Sequence, residues 1–105
     1  MFHKSSSASV HPDAVIGNGS YLSDFAIIEQ GATIGAGAYI GISAIVCRGA
    51  TIGNGALVDD EAYIGAGAIV GDGANVGNGM CVYRGATIGN GVTVKGEVSA
   101  GAVID

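Results

Sequence analysis

The side chains able to do chemistry in this 105-residue chain are few enough to weigh one by one. His3 and His11 are its two histidines. An imidazole titrates near neutrality and can act as a general base, which makes His11 the one catalytic candidate. His3 falls in the opening residues, where a mobile tail is expected. Cys47 stands beside Arg48, whose charge could lower a thiol pKa, yet no histidine is placed to activate it, and a half-buried corner thiol is the expectation. Zinc asks for three or four well-spaced ligands. The two histidines lie eight residues apart, and Cys47 and Cys81 have neither metal-type nor redox-type spacing, so no metal centre is expected. Arg48 and Arg84 could share one anionic ligand or pair with carboxylates, Glu29 of the same chain or Asp59 and Asp60 of a neighbour. Asp59, Asp60, Glu61 and Asp72 are the residues with which an acidic decoy or inhibitor would bind a basic protein surface.

Composition narrows the classes further. Four basic residues against nine acidic ones give a formal charge of −5, so no cationic footprint follows a nucleic-acid backbone. No apolar run reaches the length of a signal peptide or the roughly 20 residues of a membrane span. A soluble cytoplasmic protein with neither nucleic-acid nor membrane partners is expected. Two cysteines make no disulfide framework. Twenty glycines in a chain that is 49% hydrophobic exclude a solvated linker, because so much apolar surface would not stay in water. The glycines must therefore recur with a period.

That period is six. Stepping by six from Val10 to Val94 meets an aliphatic residue fifteen times without a miss, and two residues before most of them sits a small one, as in Ala26, Ala32, Ala38 and Ala44. Residues two apart share a face of an extended chain, so each small-x-aliphatic unit reads as a very short strand with its middle residue turned outward. The residues between are Gly-Asn-Gly or Gly-Ala-Gly, types that accept the positive φ of a sharp corner. A longer period of 18 brings Glu29-Gln30-Gly31-Ala32-Thr33-Ile34 onto Cys47-Arg48-Gly49-Ala50-Thr51-Ile52, and later onto Tyr83-Arg84-Gly85-Ala86-Thr87-Ile88. The chain is thus expected to be all-β, about five stacked triangular coils over residues 10–105, preceded by a tail or cap at 1–9.

Stacking sorts the side chains by corner and face. One corner, with Gly17-Asn18, Gly35-Ala36 and Gly53-Asn54, looks plain. The next gathers Glu29, Gln30, Cys47, Arg48, Tyr83 and Arg84 with His11 into a candidate binding edge. A third is mildly acidic. Outward positions bring Tyr21, Tyr39 and Leu57 onto one face and Ile27, Ile45 and Tyr63 onto another, the profile of a buried interface, and a homotrimer is expected from it. Thr33, Thr51 and Thr87 form a hydroxyl ladder broken by Ile69. On a spacing of ~4.8 Å, Cys47 and Cys81 lie too far apart for a disulfide. Toward the end, Met80, Val92, Val98 and Ile104 replace the small residue and Ala100 the aliphatic one, which reads as bulk moved to fill the last coils, while Phe2 is placed to cover the first.

With these repeats the chain resembles the hexapeptide-repeat, left-handed parallel β-helix proteins of the bacterial acyltransferase superfamily, in a minimal form with no insertion loop or terminal helix. The handedness is implied by the resemblance, since parallel crossovers are otherwise right-handed in about 98% of cases. So are trimerisation, an acyl-CoA donor in the groove between subunits and a histidine base. The His11-Pro12 opening is similar to the usual start of the first coil in such proteins, which implies a structural role for His11. Arg48-Gly49 and Arg84-Gly85 resemble the motif of γ-class carbonic anhydrases, but Ala50 and Ala86 stand where its aspartate would be, and three histidines are required. Flat threonine arrays occur in β-helical ice-binding proteins. The leading expectation is a small homotrimeric β-helix without catalysis of its own, a structural or protein-binding module with no cofactor. An acyl-CoA-dependent O- or N-acyltransferase, with acyl-CoA as co-substrate and His11 as base, is the first alternative; the acidic decoy is the second.

Overall fold

A six-residue repeat leaves room for only two strand residues once a corner has been taken out. The computed structural model, which describes residues 1–105, is built from seventeen such strands and no helix. Strands one coil apart pair in parallel, with Tyr39 in register between Tyr21 and Leu57, and the pairs stack into three sheets. Face A has six strands, from His3–Lys4 to Thr93–Val94; face B has five, from Ser9–Val10 to Cys81–Val82; face C has six, from Val15–Ile16 to Val103–Ile104. The result is a left-handed parallel β-helix, a triangular prism of 33 × 21 × 20 Å. No helix is long and apolar enough to cross a membrane.

The core is what the period demands. Leu22, Ile40, Val58 and Val76 stack without solvent exposure on face A, and the alanines between the aliphatic columns are equally buried. Each large aliphatic side chain taken out of water contributes roughly 1.5–3 kcal/mol. Ser20 occupies an alanine slot at little cost because its hydroxyl donates to the Gly35 carbonyl at 2.7 Å. Phe2 packs against the first coil as expected. His3, expected in a mobile tail, lies instead on face A, paired with Tyr21 and bonded through its backbone N–H to the Ser20 carbonyl at 2.8 Å.

Two features depart from the sequence reading. The corner between faces C and A, which looked plain, is a hydrogen-bonded column. The N–H groups of Ala36, Asn54 and Asp72 donate to the side-chain oxygens of Asn54, Asp72 and Asn90 on the following coils, at 2.9, 2.8 and 2.8 Å. Glycine is obligatory below each rung: a Cβ on Gly35 would lie 2.6 Å from the Asn54 backbone nitrogen. The last coil also slips. Val98 pairs with Val82, and Ile104 with Ile88, both 16 residues on. Val98 and Ile104 are therefore not bulk in the small slot; a corner shortened by two residues returns them to the aliphatic column.

Candidate functional site

The sparse chemistry of the chain falls on the prism edge between faces B and C. His11, Glu29, Cys47 and Tyr83 take the same corner position on different coils, each with its backbone N–H bound in the ladder. Ser9, His11, Ile27, Ile28, Glu29, Gln30 and Arg48 line one shallow groove of about 350 Å³. The fold thus unites four of the expected edge and catalytic residues, His11, Glu29, Gln30 and Arg48. It separates Arg84, which lines a different depression with Ala66 and Ala100.

Hydrogen bonds assign several of these groups. Nδ1 of His11 accepts from the Asp13 N–H at 3.0 Å, so the neutral ring carries its proton on Nε2, and Nδ1, its one basic nitrogen, cannot take a proton without loss of that contact. Glu29 accepts from the backbone N–H of Arg48 at 3.3 Å, where pairing with the guanidinium was one expectation. The Tyr83 hydroxyl donates to Glu97 at 3.3 Å. The negative charge of Glu97 is also the main reason the Tyr83 hydroxyl is held above its usual range. Burial pushes the Cys47 thiol up; the Tyr63 hydroxyl opposes this, and the carboxylate of Glu29 reinforces it. Arg48 does not activate the thiol. Cys47 and Cys81 are both free.

Outside the edge, the apolar residues of faces A and B form continuous columns. His3, Tyr21 and Tyr39 stack on successive rungs, with ring centroids 4.6 and 5.6 Å apart. Ser23 donates to the Tyr39 hydroxyl at 3.1 Å. Ile27, Ile45 and Tyr63 are in register on face B. The corner joining the two faces adds Phe25 and Ile42, 63% and 45% exposed, which the sequence reading missed. Their signal was visible as the absence of glycine from the left-handed slot: Phe25, Ser43 and Glu61 hold φ of 61°, 60° and 62°.

The acidic residues do not form one patch. Asp59, Asp60 and Glu61 lie on the corner between faces A and B, whereas Asp72 lies on the far edge of face A. Asp60 and Asp72 also cap the N–H groups of Ile42 and Asn54. Thr33 and Thr51 adjoin on face C, and Ile69 separates them from Thr87. No three His, Cys, Asp or Glu side chains are grouped to hold a metal ion.

Comparison with known proteins locates this geometry. The model of the GMPPB C-terminal domain family matches residues 5–104. No curated protein matches the chain. The acetyltransferase domain of PglB from Neisseria gonorrhoeae is 22% identical with a TM-score of 0.61, and the match covers 98% of this chain and 53% of that one. A mutant perosamine N-acetyltransferase from Caulobacter crescentus, in complex with CoA and GDP-perosamine, is 20% identical with a TM-score of 0.64, covering 98% and 52%. An Arabidopsis UDP-N-acetylglucosamine acyltransferase is 19% identical with a TM-score of 0.58, covering 96% and 48%. These likenesses show a hexapeptide-repeat, acyltransferase-like fold. The chain spans about half the length of the three structures.

Proposed function

Because the chain belongs to the GMPPB C-terminal domain family, we propose that it is a self-associating β-helix module, a homotrimer without catalysis of its own, that presents its B–C edge to a protein partner or a small anion. The observation that carries this reading is the outward apolar surface of faces A and B, where Tyr21, Phe25, Ile27, Ile42 and Tyr63 are each at least 36% exposed on adjoining elements. Contiguous apolar surface of this kind marks interaction sites in soluble proteins. The bond that ties up Nδ1 of His11 supports a structural role for that ring. We place the protein in the cytoplasm, where free thiols such as Cys47 and Cys81 persist.

The test is Ile45→Asp, which puts a charge in the middle of face B. The half-exposed position tolerates it, so the β-sheet signal of the chain is expected to persist while the oligomer is lost, as read by sedimentation. An oligomer unaffected by Ile45→Asp would refute association through this face. The second reading, an acyl-CoA-dependent O- or N-acyltransferase, is favoured by the grouping of His11 with Glu29 and Arg48 in one groove. It predicts that the chain retains acetyl-CoA in native mass spectrometry and that His11→Ala abolishes turnover without dissociating the oligomer.

A further inference from the structure

Asn18, Asn54, Asn78 and Asn90 each stand between two glycines, as Gly-Asn-Gly, at a corner of the prism. An asparagine followed by glycine loses its side-chain amide readily, because glycine has no Cβ to hinder its own nitrogen from turning onto the asparagine side-chain carbon. The four sites are alike in sequence, so the fold decides how they differ. In all four the glycine N–H, the attacking group, donates to the coil before it at 2.8 or 2.9 Å, and that bond does not tell them apart.

The bonds of the asparagines do. Ring closure swings the side chain and its peptide out of the corner, and the hydrogen bonds that hold them must open first. Asn54 has three: its side-chain oxygen accepts from the Ala36 N–H at 2.9 Å, its N–H donates to Asp72 at 2.8 Å, and its carbonyl accepts from the Gly73 N–H at 2.9 Å. Asn18 has two, from the Met1 amino group to its side chain and from the Gly37 N–H to its carbonyl. Asn90 has one, from the Asp72 N–H. Asn78 has none and is exposed.

Asp59 is the physical cause. Wherever a side-chain oxygen accepts from the coil before, glycine lies beneath it: Gly35 under Asn54, Gly53 under Asp72, Gly71 under Asn90 and, on the same A–B corner as Asn78, Gly41 under Asp60. A Cβ on Gly41 would stand 2.5 Å from the Asp60 nitrogen. Asp59 takes that place beneath Asn78 and carries a Cβ, so the next coil cannot settle onto it. Its carboxylate also accepts the Asp60 N–H at 2.7 Å, the donor that the pattern would otherwise give to the Asn78 side chain. From the other side, the shortened corner Lys95-Gly96-Glu97 brings no N–H to the Asn78 carbonyl.

We propose that the Asn78–Gly79 peptide, unlocked by Asp59, is the site at which the folded chain is modified by loss of an amide. The Gly79 nitrogen bonds to the side-chain carbonyl carbon of Asn78 and gives its proton to solvent. The side-chain nitrogen takes up a proton and leaves as ammonia, which closes a five-membered succinimide. Water then opens the ring at one carbonyl or the other, leaving aspartate or isoaspartate at position 78. No electrons are exchanged. Each event adds a negative charge to a corner that bears Asp60 and Glu61 on the coil before, and the added backbone carbon of isoaspartate breaks no bond of the column.

The experiment is incubation of the intact 105-residue chain at mildly alkaline pH, beside the same chain unfolded in guanidinium chloride. Conversion at each asparagine is read by fragmentation mass spectrometry after digestion. Each bond that must open first slows the reaction by roughly fivefold. In the folded chain Asn78 is therefore expected to convert at least about tenfold faster than Asn54, and in the unfolded chain all four within about threefold of one another. Asp59→Gly admits the missing bond and is expected to slow Asn78 at least about threefold in the folded chain alone. The proposal is overturned by a folded chain in which Asn78 converts no faster than Asn54, or by an unfolded chain with the same preference. It is equally overturned if Asn78 reacts as fast in folded Asp59→Gly as in the parent.

Discussion

Cys47 shows how burial overrules a charged neighbour. In sequence, Arg48 beside it argued for a lowered pKa; in the fold the guanidinium is outside and the thiol is 8% exposed, with Glu29 near enough to disfavour the thiolate. Cys47 should therefore be alkylated by iodoacetamide far more slowly than the less buried Cys81 at pH 8, as read by mass spectrometry of the digested protein; equal rates would contradict the burial. The raised pKa also sets a pH dependence. The folded state keeps the proton that the unfolded state releases, so this stability is intact below the unfolded thiol pKa of about 8.5 and declines as pH rises above it. The urea midpoint should fall less between pH 8 and pH 10 in Cys47→Ala than in the parent, measured from each protein's own pH 8 value. The sequence suggested a half-buried thiol at this corner, whereas Cys47 is buried; the effect of Glu29 was not legible, because it needs two coils to be stacked. His11 is a similar case: its candidacy came from residue type, and only the Asp13 N–H on its Nδ1 reveals that the basic nitrogen is already engaged.

At the scale of the elements, the strands were legible and the corners were not. An aliphatic residue every six positions leaves little choice of strand, but the Asn and Asp side chains of the C–A corner join rungs 18 residues apart, and such a bond is invisible until the register is known. Asn54→Ala removes the acceptor of the Ala36 N–H and frees a neighbouring rung, and is expected to cost about 1 kcal/mol in urea unfolding. Gly35→Ala should cost several times more, because its Cβ would stand 2.6 Å from backbone of the next coil. Ser43→Gly works in the opposite sense: relief of a left-handed serine should stabilise the isolated chain by up to about 1 kcal/mol. The two-residue slip at Val98 escaped the sequence reading for a plain reason. A constant period was imposed on a corner, Lys95-Gly96-Glu97, that had been shortened, so the residues after it were assigned to the wrong column.

The whole molecule was the most legible level, since one repeat dictates the coil, the three faces and the core. The site was only partly so. The 18-residue period gathered His11, Glu29, Gln30 and Arg48 on one edge, and the structure brings those four into one groove. It did not reveal that Arg84 lines a separate depression, or that Phe25 and Ile42 complete an apolar corner between the two columns of Tyr and Ile. Those relations depend on which side of a corner a residue turns to. They matter because the proposed function rests on outward surface, while the core would be the same in any chain with this repeat. The most direct test is the mass of the chain in solution, by sedimentation equilibrium over a hundredfold range of concentration. Self-association predicts a species of three times the 10.2 kDa chain mass that dissociates on dilution or with Ile45→Asp. A single species of one chain mass at every concentration would contradict it.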